Sequence, residues 1–370
     1  MTRTAAISAM LFALACSSGT RPPPQAHIAL PPGSQLKPYD ANNPGEARPL
    51  YTAQLSGIVY ATLSNERFQG TSVLVAGPGF LAGIDAFAGT VRLIDLGGAG
   101  EHQCTDPGVV RADGGKLYVA CSGDFSGTNP GRGLVEVDPG TGTVTHFVLT
   151  PSGSVPSGVA VGTQKIWMGD AFVPQLLSVD RTTFTNADGA DAAHPAIPVQ
   201  CPTSGAFPFV PYVGIVNGDL YALCATTQAG LLVRFDATTG AVKGSVAVGA
   251  SPTEFAATGD GRIAVVNSND NTLSLVTPGT PLTAQLGFTF PKSSTLQDVK
   301  ARGHFVFTVA SGTNTVQKID LAATGGPKLV AAASTGLNSN PFNLEPLDDD
   351  TVVVVNWATS DVVAPPLQPQ

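Results

Sequence analysis

Gly249–Gly279 reads GASPTEFAATGDGRIAVVNSNDNTLSLVTPG. Pro252 opens a short strand that carries Phe255 and Ala257. Gly259-Asp260-Gly261 is a hairpin turn, because Asp-Gly tolerates the positive φ of a tight turn. Ile263–Val266 is a continuous β-branched apolar run, too short for a helix and suited to a strand buried on both faces. Asn267–Asn271 is polar and turns the chain; Leu273 and Leu275 then alternate with polar neighbours until Pro278-Gly279. One such meander cannot bury its own faces, so it must stack on copies of itself.

The copies are present. With Asn267 as position zero, an apolar strand begins six residues later at Leu273 and a turn follows at Thr277. FLAGIDAFAGTVRLIDL places Asp85, Val91 and Asp95 at these spacings, and IWMGDAFVPQLLSVD places Asp170, Leu176 and Asp180. FVFTVASGTNTVQKID and VVVVNWATSDVVAPP supply Ala310 and Asn356 at position zero. Two copies with insertions supply Cys121 and Cys224. The apolar runs of these seven units begin at Phe80, Leu117, Ile166, Leu220, Ile263, Phe305 and Val352, roughly 37 to 54 residues apart, the spacing of β-propeller blades.

The run from Pro252 through Gly-Asp-Gly-Arg-Ile-Ala-Val-Val-Asn-Ser-Asn-Asp-Asn-Thr to Leu273 resembles the YVTN-type β-propeller repeat. The resemblance spans about Tyr51 to the C-terminus; it is good in the fifth unit and degenerate elsewhere. It implies an all-β, seven-bladed β-propeller of four-stranded antiparallel blades. It leaves the chemistry open, because propellers host binding, scaffolding and unrelated enzyme activities.

The N-terminal segment has a different character. Arg3 is its only charge before an apolar run over Ala5–Ala15, too short to span a bilayer. Ala13-Leu14-Ala15-Cys16 followed by Ser17-Ser18-Gly19 resembles a bacterial lipoprotein signal, with Ala in place of the usual Leu three residues before the cysteine. The resemblance implies cleavage before Cys16 and lipid attachment to it, and Ser17 implies delivery to the outer membrane. Residues 16–50 are proline-rich, with Pro22-Pro23-Pro24 and Pro31-Pro32, and read as a semi-rigid spacer. Residues 51–370 then form one propeller domain.

In unit one the expected strands are Ser72–Ala76, Phe80–Ala86 and Thr90–Leu96. Unit seven lacks an outer strand, and Tyr51–Leu63 is a strand-like segment that belongs to no meander. An N-terminal strand, Tyr51–Leu63, is therefore expected to close the last blade and remove its open edge.

Cys104 and Cys201 each precede the first strand of a unit, and Cys121 and Cys224 each end the second strand of the same unit. Antiparallel neighbours place the start of one strand beside the end of the next. Local disulfides Cys104–Cys121 and Cys201–Cys224 are expected, in keeping with an exported chain. A zinc site would need cysteines that lie two blades apart.

Only 12% of residues are charged, the net charge is −8, and no lysine or arginine cluster occurs. Phosphate-directed binding of nucleic acid is not expected. The chain has no Gly-x-Ser-x-Gly or His-Glu-x-x-His motif, and its five histidines are scattered. His102, beside Cys104, lies on a connector, and Trp167 and Trp357 read as packing between blades. The glycines near Gly77 sit in a hairpin with no following helix, and the Asp188–Asp191 loop lacks the glutamate a calcium loop needs.

The position-zero residues are read as second-strand exits that share one face. Asp85, Asp170, Asn267 and Asn356, with Asp124 and Asp270 in the same turns, form a candidate binding face there. Turn capping explains the same residue types. The expected protein is a monomeric, lipid-anchored, non-catalytic binding or scaffold module in the cell envelope, without cofactor or metal. Its partner is a protein or small polar ligand. A lactonase- or lyase-like propeller enzyme is the alternative.

Overall fold

The computed structural model describes residues 27–29, 48–64, 66–69, 72–75, 79–97, 103–124 and 129–370. Cys16, the signal segment and His102 lie outside the described residues. Seven antiparallel meanders form a ring. Each blade runs outward from a first strand at the central channel. In the fifth blade these strands are Pro252–Ala257, Ile263–Asn267, Thr272–Thr277 and Thr283–Thr289.

Burial falls from the axis outward. Every residue of Ile263–Asn267 is buried, whereas Thr283–Thr289 is exposed over its first four residues. Apolar side chains gather in seven clusters, one in each gap between neighbouring blades. Phe255, Ile263 and Val265 of the fifth blade meet Tyr212, Tyr221 and Leu223 of the fourth. The ring closes with Val353 and Val355 of the seventh blade against Val59, Ala61 and Leu63 of the first. A continuous apolar run is thus the mark of a second strand packed between two blades. Trp167 fills one gap: it is fully buried and donates its Nε1–H to the Ala237 carbonyl of the next blade at 2.8 Å.

Blade one corrects the sequence-based assignment. Its strands are Arg48–Leu55, Ile58–Ser64, Phe80–Asp85 and Thr90–Asp95. Tyr51–Leu63 therefore supplies the two innermost strands of the first blade, not the outer strand of the last. Ser72–Val75 lies outside the blade, in a hairpin with Glu66–Gln69 inserted between the second and third strands. The insertion resembles the start of a meander, which is why the register in sequence slipped by one strand.

An N-terminal strand does close the last blade, but it is His27–Ala29, paired with Asp361–Val363. Ile28 is buried, and the His27 ring lies 2.6 Å from Asp361 Oδ2. A chain beginning at residue 30 should melt at a lower temperature than one beginning at residue 27, because the edge of Asp361–Val363 is then left open. Equal melting temperatures would show that the strand does not close the ring. The opposite terminus lies outside the sixth blade, where Gln368–Pro369 pairs with Lys328–Ser334.

Both local disulfides are formed, Cys104–Cys121 with 5.2 Å between Cα atoms and Cys201–Cys224 with 5.4 Å. Each ties the connector entering a blade to the exit of its second strand. Such bridges are the chemistry of an oxidising compartment.

Candidate functional site in the central channel

The strand order gives the ring two distinct faces. Connectors between blades and second-strand exits share one face, and the first-to-second and third-to-fourth turns share the other. Asp170, Asn267 and Asn356 end second strands and lie on the connector face. Asp85 ends a third strand and lies on the opposite face, because of the slipped register in blade one.

The position-zero side chains are largely turned into the protein. Asp170 is fully buried, and its Oδ1 accepts the backbone N–H groups of Phe172 and Val173 at 2.9 and 3.1 Å. Asn267 is fully buried and donates to Ser274 Oγ at 2.9 Å; Asn356 is fully buried and donates to Asp361 Oδ1 at 2.9 Å. Asp270 Oδ2 accepts the Ala250 N–H at 2.6 Å. Asp85 caps Phe87 and Ala88, as Asp180 and Asp236 cap the equivalent turns of later blades. Asp124 is half-buried in the turn after Cys121. The expected ring therefore does not form a single exposed surface: its members span two faces, and three of them are sealed inside turns.

The charge concentrates instead at the axis. Arg111, Glu254, Asp298, Lys300 and Glu345 all lie on first strands, from four different blades. Local backbone geometry places them there. Pairing between first and second strands slips by one residue between Pro49 and Thr52, Pro107 and Val110, Pro252 and Glu254, Leu296 and Asp298, and Pro341 and Asn343. Such bulges re-aim the side chains that follow. Proline suits four of these positions because it has no N–H to lose from the ladder. Thr52, Glu254, Asp298 and Asn343 follow directly, and all four are buried.

The result is one connected network. Lys300 Nζ donates to Glu254 Oε1 and to Asp298 Oδ1, each at 2.7 Å. Arg111 Nη2 approaches the same Glu254 oxygen at 3.4 Å, and its guanidinium lies 4.6 Å from the centre of the Tyr212 ring. The Leu344 N–H donates to Asp298 Oδ2 at 2.8 Å, and Asn343 Nδ2 donates to Glu254 Oε2 at 3.4 Å. Thr52 Oγ1 joins Asn343 Oδ1 at 2.6 Å and reaches Glu345 Oε1 at 3.4 Å.

Burial, and then the neighbouring Glu254 charge, push the Asp298 carboxyl well above the usual carboxylate range. Burial also opposes the Glu254 charge, yet Lys300, a hydrogen bond from Asp298 and Arg111 together hold that carboxyl low. The two buried carboxyls are thus pushed in opposite directions, Asp298 up and Glu254 down. Lys300 is held firmly charged: burial works against its charge, but Asp298 and Glu254 outweigh it. Burial pushes Glu345 from an ordinary 4.5 up to about 7, against the pull of Lys300 and Arg111.

Glu345 has a direct consequence for stability. A carboxyl raised in the folded state contributes stability below its unfolded value and loses it as pH rises to the folded value. Wild-type stability should therefore fall between about pH 4.5 and pH 7 through this group. Glu345→Gln should flatten that decline, as read by urea unfolding across the window; an unchanged slope would remove Glu345 as the cause.

Arg111, Lys300 and Glu345 of this network floor a cavity of ≈ 620 Å³ that opens on the face of the first-to-second turns. All seven first strands line it, from Ala53 and Gln54 in the first blade to Glu345 and Pro346 in the seventh. Tyr212, Phe255, Val159, Val161 and Ile215 form an apolar wall, while Arg111, Lys300 and Glu345 supply charge. A smaller chamber of ≈ 170 Å³ on the connector side is lined by Tyr51, Glu254 and Phe342. Tyr51 and Phe342 meet edge to face at 5.4 Å. Glu254 borders the small chamber and bonds to Lys300 and Arg111 of the large one, so it stands at the division between them.

Sequence reasoning overlooked these residues, although a signal existed. Pro252-Thr253-Glu254 and Pro341-Phe342-Asn343 repeat a proline two residues before a polar side chain, and Leu296-Gln297-Asp298 keeps the spacing. In a chain with few charges, ionisable groups recurring at first-strand starts mark the axis.

Fold and channel together define the class: a seven-bladed β-propeller with an ionised network across its channel. No family model matches the chain, and no curated protein matches it in sequence. Solved structures do share the fold. A streptogramin B lyase is similar at a TM-score of 0.64 and 11% identity, covering 93% of this chain and 97% of that one. BamB from Moraxella catarrhalis gives 0.52 and 15%, covering 93% and 99%. The WD40 repeats of RRP9 give 0.59 and 10%, covering 87% and 95%. At such identities the likeness establishes the propeller architecture and not the activity.

Proposed function

We propose that this chain is an exported, lipid-anchored propeller that binds a small polar ligand in the mouth of its channel without transforming it. One observation carries the assignment of the site. Glu345 is only 9% exposed, lines the large cavity, and receives one long hydrogen bond from Thr52 at 3.4 Å. A carboxyl group buried to that degree with so little satisfaction costs stability unless a ligand completes it. The cavity volume falls within the range of small-molecule sites. The disulfides agree with export, and Cys16 supplies the attachment point that the N-terminal resemblance implies.

The test is a ligand-observed NMR screen of small amino acids, peptides, sugars and organic acids against the wild-type domain and Glu345→Gln. Binding that weakens in the variant supports the channel mouth. Ligands that ignore the substitution and shift only connector-face resonances would assign the work to the other face. Membrane fractionation of Cys16→Ala tests the anchor: the variant should become soluble, and retention through carbonate washing would exclude the lipid.

A second possibility rests on Glu345 as well. A carboxyl group titrating at about 7 in a cavity suits a general base, the requirement of a lyase-like elimination. Turnover of a ligand found in the screen, abolished in Glu345→Gln, would favour the enzyme.

A further inference from the structure

We infer that the channel mouth is built for a zwitterion, a free amino acid or short peptide whose carboxylate meets Arg111 and whose ammonium meets Glu345. The inference rests on the channel-mouth reading above and adds the ligand class to it.

The two groups are what the network leaves incomplete. Lys300 is committed to Glu254 and Asp298 at 2.7 Å each. Asp298 has Lys300 on one oxygen and the Leu344 N–H on the other. Arg111 carries five N–H donors. One is used on the Val110 carbonyl at 3.0 Å and one, at 3.4 Å, on Glu254. Its side chain keeps 22% exposure and lines the cavity, which Glu345 also lines. The rim charges are paired away from the floor, Asp113 with Arg181 and Arg302 with Asp349 at 3.1 Å.

The remaining capacity is therefore one planar donor and one acceptor, of opposite charge, on the second and seventh blades. A simple anion would satisfy Arg111 and meet repulsion from ionised Glu345. A simple cation would satisfy Glu345 and leave the Arg111 donors unused beside a positive charge. A zwitterion answers both, and a carboxylate accepts a guanidinium in the two-pronged geometry that arginine favours. The apolar wall of Tyr212, Phe255, Val159, Val161 and Ile215 lies beside this pair and suits an aliphatic or aromatic side chain.

Proton linkage supplies an independent readout. The charged groups around Glu345 are Lys300 and Arg111, which favour its ionised form, and Glu254, which opposes it. Thr52 is its hydrogen-bond partner from the first blade, and Asp298 bonds the same Lys300. An ammonium seated on Glu345 favours the ionised carboxylate, so binding expels a proton and affinity falls as pH drops below about 7.

The experiment is isothermal titration calorimetry on the intact propeller with dileucine, N-acetyl-dileucine and dileucine amide. Dileucine should bind about ten- to a hundredfold more tightly than either blocked form, the loss expected when one charged hydrogen-bond partner is removed. Its affinity should fall from about pH 8 to about pH 6, with proton uptake by the buffer confirming the release. Glu345→Gln should abolish the preference for the free amine, and Arg111→Gln the preference for the free carboxylate. The blocked peptides need no variant, so misfolding of either variant leaves the test intact. Equal binding of all three peptides overturns the zwitterion and leaves the channel site standing. Preference for the acetylated acid shows an anion site instead, and no binding by any peptide overturns the inference outright. Dileucine binding that ignores both substitutions and maps to the connector face overturns the channel site as well.

Discussion

Replacing Lys300 by methionine is expected to destabilise the propeller by about 3–5 kcal/mol, the cost of breaking a buried ion pair from one side. Lys300 Nζ lies 2.7 Å from both Glu254 Oε1 and Asp298 Oδ1, and Glu254 is only 2% exposed. Without the ammonium, the buried Glu254 carboxyl is left at the division of the channel with Arg111, at 3.4 Å, as its remaining cationic partner among the described residues. Urea unfolding at neutral pH measures the loss. The sign of its pH dependence is also set. The Glu254 carboxyl is held low in the folded protein. Its contribution is present above the unfolded carboxyl value and disappears as pH falls through the folded one. The gap between wild type and variant should therefore narrow in acid. Lys243→Met is the control: Lys243 also touches two carboxylates, Asp219 at 2.6 Å and Asp236 at 3.0 Å, but on the solvated outside of the fourth blade. It should leave the unfolding midpoint almost unmoved, since exposed pairs are screened by water. Equal effects from the two substitutions would show that the network is not sealed from solvent.

Removing the disulfides is the second large effect. Each bridge closes a short loop, of 17 residues for Cys104–Cys121 and 23 for Cys201–Cys224. Loops of this length constrain the unfolded chain by about 3 kcal/mol each. The bridges sit in the second and fourth blades and share no partner, so the two losses should add to about 6 kcal/mol in a variant with all four residues changed to serine. Three of the four cysteines are fully buried. Serine there adds an unpaired hydroxyl, so Cys→Ala variants serve as the second measurement. Folded wild-type protein should resist dithiothreitol and yield to it in urea. Strongly non-additive losses would show that the bridges act through a common element.

Much of the architecture was legible along the chain, because it follows from local periodicity. Ile263–Val266 and Val352–Val355 are second strands because no other position in a blade buries every side chain. The cysteine pairs were legible for the same reason: antiparallel register between consecutive strands is a local property. Blade one was not. Alternating strands and turns do not tell which strand faces the axis, and the hairpin of Glu66–Gln69 with Ser72–Val75 imitates the opening of a meander. Asp85 went to the wrong face with it. His27–Ala29 was hidden by its brevity: three residues among prolines become a strand only when Asp361–Val363 offers a partner more than 330 positions away.

The channel belongs wholly to tertiary structure. Asp170, Asn267 and Asn356 are conspicuous polar residues in sequence, yet the fold buries all three and engages them with nearby turns and connectors. Arg111, Glu254, Lys300 and Glu345 are inconspicuous in sequence, spread over 235 positions, and ring closure brings them to one axis. Sequence alone determined the number of blades, the strand pattern of those after the first, and both disulfides, since each depends on neighbours within a few dozen residues. Only the closed ring decided which strands face the axis, which segment completes the last blade and which charges meet, because those depend on contacts between blades that chain proximity does not encode.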